Sequence, residues 1–153
     1  MHNFNDLNKF LKEFGEQIGE EMLKEAKSRV DIPEEARNPN QFEQYRESLK
    51  TKTEVENNVV TIKVYSDLVV SDGSKWDGVP IGAFLEWGTG PMGESSNSYP
   101  HGYPYTTYQP WDYHTYRQFY KTGDWGITAR PHLYPTLQLY KSKLRKELER
   151  KFK

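Results

Sequence analysis

The chain has 153 residues and no cysteine, so a disulfide framework, a thiolate zinc site and a cysteine nucleophile are excluded. A reducing compartment is allowed without being required. No apolar run approaches the roughly 18–20 residues that a membrane-spanning helix needs. The opening residues, MHNFNDLNKF, lack the basic-then-apolar pattern of a secretory signal peptide, and none is expected. A dominant charge sign is missing too. There are 21 Lys and Arg against 22 Asp and Glu, and the pI of about 6.4 is far from that of strongly basic nucleic-acid readers. Aliphatic residues are scarce, and the mean hydropathy is −0.95. Hydrophobic residues make up 35%, with aromatics alone at 14%, as 4 Trp, 11 Tyr and 7 Phe. The length fits one domain, residues 1–153. In place of aliphatics the chain carries large amphipathic rings, and their location decides what they do.

Residues 1–30 read as one long amphipathic helix, because Phe4, Leu7, Leu11, Phe14, Ile18, Met22 and Ala26 recur at steps of three and four. Gly15 and Gly19 each weaken that helix by about 1 kcal/mol relative to Ala. Two glycines four apart point to a close helix crossing. The helix ends before Pro33, whose ring disfavours αR at Ile32. A polar connector follows, with a short helical turn near residues 41–49. Residues 51–56 and 59–66 alternate like paired strands around Asn57-Asn58, a dipeptide that tolerates positive φ and suits a tight hairpin. Residues 67–71 continue that strand or begin a third, completing a sheet and Gly-Thr turn over residues 51–90. Residues 79–85 are the densest apolar stretch of the middle and run into Glu86-Trp87-Gly88-Thr89-Gly90. From Pro131 or Pro135 a second amphipathic helix runs on over residues 131–153. Its expected stripe is Leu133, Leu137, Tyr140, Leu144, Leu148 and Phe152. Proline costs little at a helix start, where the first amides have no intrahelical partner.

Residues 91–122 are of another kind. Within them, residues 99–120 hold Tyr99, Tyr103, Tyr105, Tyr108, Trp111, Tyr113, Tyr116, Phe119 and Tyr120, and not one Val, Ile, Leu, Ala or Met. Such a segment cannot pack as an ordinary core element and reads as a long aromatic-rich loop inserted into the domain. Tyr and Trp are enriched at interface hot spots, since they bury large areas at low entropy cost. The seven tyrosines and Trp111 are therefore candidate contact residues. Rings also stack nucleic-acid bases, but Asp112 and Arg117 are the only charges between residues 99 and 120, fewer cations than strand binding calls for. An insertion that is partly disordered in the isolated monomer is the plainer alternative. The last thirteen residues carry seven Lys and Arg against Glu147 and Glu149. Lys143, Lys146 and Arg150 are thus candidate contacts for phosphates or an acidic partner, or part of a solvated face that suits the helix dipole.

Chemistry is harder to find. His2, His101, His114 and His132 show no metal-ligand spacing with one another or with carboxylates, and no metal or cofactor is expected. His132 reads as a polar neighbour of a helix start. Glu86 with Asp112 or Asp124 has the residue types of a glycosidase pair, but no spacing that requires it. Gly88-Thr89-Gly90 lacks the lysine and the strand–helix setting of a phosphate loop and reads as a tight turn.

Two segments taken together carry a resemblance. Phe84-Leu85-Glu86-Trp87-Gly88-Thr89-Gly90 resembles an aromatic–x–Glu–aromatic–Gly–Thr signature. Ala129-Arg130-Pro131-His132-Leu133-Tyr134-Pro135-Thr136-Leu137 resembles a Pro–aromatic–hydrophobic–x–Pro–Ala entry to a terminal helix. In this order they are similar to the small tail-completion and head–tail joining (neck) proteins of long-tailed bacteriophages, over most of the chain outside residues 91–122. His132 stands where that family often has Phe, and Thr136 where it often has Ala. The resemblance implies a non-enzymatic virion protein at the head–tail junction or in the tail, assembled in the host cytoplasm. Its implied partners are itself, as a ring-like homo-oligomer, and other neck and tail proteins such as a tail terminator or head-completion protein. No membrane and no specific nucleic acid is implied. The structural motif would comprise Glu86, Trp87, Gly88, Thr89, Gly90, Arg130 and Pro131, and the residues themselves suggest a Glu86–Arg130 ion pair. The alternative reading is a single-stranded nucleic-acid-binding module that uses the Tyr-rich loop and the basic terminal helix. The expected fold is α+β: a long N-terminal helix, a small antiparallel sheet and a long C-terminal helix packed on it.

Overall fold

The apolar stripe of the first thirty residues folds as helix α1 (Phe4–Arg29), whose buried face is Leu11, Phe14, Ile18, Met22 and Ala26. The computed structural model describes residues 4–34, 39–71, 73, 77–87 and 130–151. After α1 come α2 (Pro39–Ser48), β1 (Lys50–Glu56), β2 (Val59–Tyr65), α3 (Ile81–Trp87) and α4 (Leu133–Lys151), an α+β fold. The aromatic-rich insertion at residues 91–122, the Gly88-Thr89-Gly90 turn and Phe152 lie outside the described residues.

β1 and β2 pair antiparallel, with Glu56 opposite Val59 and Lys50 opposite Tyr65. Asn57 and Asn58 adopt φ of 50° and 62°, the two positive values that a type I′ turn requires and Asn accepts. Thr51, Thr53, Val60, Ile62 and Val64 share the face that packs on α1. Glu54 holds Lys52 and Lys63 on the opposite face. The two lysines keep its carboxyl down at about 2.

Gly15 and Gly19 serve the hairpin instead of a helix crossing. A Cβ at Gly15 would lie 2.6 Å from Val60 Cγ2 and 2.7 Å from Thr53 Cγ2, and one at Gly19 2.6 Å from Thr51 Oγ1. The missing side chains let the helix backbone settle directly on the β-branched face of the sheet.

Residues 67–71 do not form a third strand. One isolated bridge joins Val69 to Pro80, flanked by Val70 N–H to Val79 O at 2.9 Å and Ile81 N–H to Leu68 O at 3.1 Å. Pro80 has no N–H to extend the ladder, and the chain turns helical directly after it. The apolar stretch at 79–85 thus becomes α3, which buries Ile81 and Leu85 one turn apart. They join Ala26, Val30, Phe42, Tyr45, Leu49 and Val70 in the larger core cluster.

A second cluster gathers Phe14, Ile18 and Met22 of α1 around Tyr140 of α4, with Ile62 and Val64 of β2 against it. The buried stripe of α4 is not wholly the expected one. Its first turns bury His132, Thr136 and Tyr140, spaced by four, while Leu137 is 52% exposed. Leu137 is the departure: Leu133, Leu144 and Leu148 still pack against the two core clusters, while the His132 ring is drawn in by Tyr45 of α2 and Glu86 of α3.

If the glycine contacts set the distance between α1 and the sheet, Gly15→Val is expected to lower stability by about 1–3 kcal/mol through overpacking. Urea unfolding reads this as a lower midpoint at unchanged slope. An unaltered midpoint would show that the interface yields.

Candidate functional site

A helix begins with four amides that have no intrahelical acceptor. At the start of α4 they belong to His132, Leu133, Tyr134 and Pro135, and the last has none. The other three converge on one side chain. Glu86 Oε2 accepts from His132 N–H at 2.9 Å and Leu133 N–H at 3.0 Å, and Oε1 accepts from Tyr134 N–H at 2.9 Å. The carboxylate of α3 is therefore the N-cap of α4, supplied from far along the chain. It satisfies every orphan donor there and lies at the positive end of the helix dipole. Beside it, Arg130 N–H bonds to Leu85 O at 2.6 Å, fixing the approach of the strand-like entry.

The ring of His132 completes the lock. Its Nε2 is 2.7 Å from the Tyr45 hydroxyl, and its Nδ1 faces Arg130 O at 3.3 Å and Glu86 Oε2 at 3.1 Å. Two acceptors around Nδ1 assign the proton there, so the Tyr45 hydroxyl donates to Nε2. The Tyr45 and His132 rings meet edge-on at 5.4 Å and 83°. Thr136 Oγ1 donates to His132 O at 2.7 Å. Gly82 makes room: a Cβ there would stand 2.6 Å from Tyr45 Cε2.

The hydroxyl–imidazole–carboxylate chain has the composition of a proton relay, but its setting is that of a structural joint. His132 is 0% exposed, Tyr45 2% and Glu86 4%. Both carboxylate oxygens and both ring nitrogens already have protein partners. Burial pushes the Tyr45 hydroxyl above its ordinary range, the Glu86 charge adding to it. Burial likewise holds His132 below the ordinary histidine value, against the opposing pull of Glu86 and the Arg130 carbonyl. Among the described residues, no three His, Asp or Glu side chains converge to hold a metal ion.

The expected Glu86–Arg130 ion pair is corrected. The two segments do meet, but through the amides of 132–134, while the Arg130 guanidinium reaches Asp31 at 3.1 Å. Pro131 is half-buried in the same entry, and Trp87 ends α3. Of the candidate contact residues on α4, Lys143 is engaged by Glu21 and lies 5.1 Å from the Tyr140 ring centroid. Arg150 pairs with Glu147 at 2.7 Å, and Lys146 is exposed. Tyr99, Tyr103, Tyr105, Tyr108, Trp111, Tyr113, Tyr116 and Tyr120 lie outside the described residues, as do Gly88, Thr89, Gly90, Asp112 and Asp124. Tyr45 and Gly82 are single residues without periodicity and carry no signal in the sequence, and Thr136 stands out there only as a departure from the resembled motif. His132 is the polar neighbour of the helix start that its position suggests, and its ring is wholly buried.

Glu86→Ala is expected to strand three amides and to cost about 3 kcal/mol, with Glu86→Gln intermediate because one acceptor oxygen survives. Thermal unfolding of the two variants checks the order. The pH dependence follows from His132. Its folded value is depressed, so between that value and about 6.5 the unfolded chain binds the proton that the buried ring refuses. Stability should therefore rise with pH through this window and flatten above it. A urea titration at stepped pH should show less of that slope in His132→Phe, and an identical slope would contradict the assignment. Comparisons of the chain with protein-family models, with curated proteins and with solved structures return no match.

Proposed function

We propose that the chain is a non-enzymatic structural protein of a tailed-phage virion, acting in tail completion or head–tail joining as a ring-like homo-oligomer that contacts neighbouring neck and tail proteins. The observation that carries this reading is the meeting of the two motif segments. Glu86 of the aromatic–x–Glu–aromatic–Gly–Thr segment caps the helix opened by the Arg-Pro segment, through three hydrogen bonds of 2.9–3.0 Å. Two short patterns, each weak alone, are thus halves of one structural unit, which supports reading them together. The saturated, inaccessible state of that unit favours a scaffold over an enzyme. Among the described residues no helix is long and apolar enough to cross a membrane.

The nucleic-acid reading draws less support. On α4, Lys143, Arg145 and Arg150 face Glu21, Glu149 and Glu147, so part of the cationic surplus is matched within the chain before any phosphate arrives.

A ring needs a contact between two different patches of one subunit, with a rotation that closes. Sedimentation velocity over a wide concentration range, with negative-stain microscopy, is expected to show discrete closed oligomers. A monomer at every concentration would overturn the reading. So would affinity for single-stranded DNA that falls steeply with salt.

A further inference from the structure

We draw no further inference here: the strongest candidate, the apolar groove lined by Ile62 and Val64 of β2, Ala83 of α3 and Leu133 and Leu137 of α4, carries none, because nothing in the structure shows what covers it.

Discussion

The structure depends on three amides finding one carboxylate. An uncapped α4 would begin with unsatisfied donors against a core, and such donors cost about 1–3 kcal/mol apiece when buried. Glu86 removes that cost and, in doing so, decides where α4 starts, which face it turns inward and how it lies against α3. Pro135 at the fourth position fits the same logic, because it presents no N–H to satisfy. The cap is rigid since Leu85 and Ile81 anchor α3 in the larger core cluster. The helix N-terminus is thus fixed by tertiary structure more than by its own local sequence.

His132 and its partners form a consistent set. A buried imidazole needs a donor on one nitrogen and an acceptor on the other. Tyr45 supplies the first from α2, the Arg130 carbonyl the second, and Gly82 gives the Tyr45 ring its space. An apolar ring at this position would need none of this, so His132 is accompanied by the hydrogen-bonding residues that an imidazole demands. Thr136 donates to the His132 carbonyl.

Much of the fold was legible because it is periodic or stereochemically enforced. The α1 stripe, the alternation of Val60, Ile62 and Val64, and the Asn57-Asn58 turn each follow from local geometry. What was illegible depended on partners distant in sequence. Gly15 and Gly19 announce a close approach but not its object, which proved to be Val60 and the β1 threonines. The 79–85 stretch is apolar enough for strand or helix, and Pro80 settles the matter by refusing the ladder and opening a helix. Leu137 fits the α4 period and yet is half-exposed, because period alone does not register the Tyr45 and Glu86 groups that hold the His132 ring inside. The opposite charges of Glu86 and Arg130 suggest that their segments meet. That backbone amides and not the guanidinium would make the contact is not legible, since an amide leaves no mark in a sequence.

The clasp at Leu85, Glu86 and Arg130 has a consequence for what lies between its halves. Bond formation at residues 85–86 and 130–134 closes a loop, and the entropy of closure grows only with the logarithm of loop length, about 0.6 kcal/mol for each doubling. The closure cost taken alone therefore changes little with the length of chain carried between the two halves of the clasp, so the joint at Glu86 places no tight limit on that length.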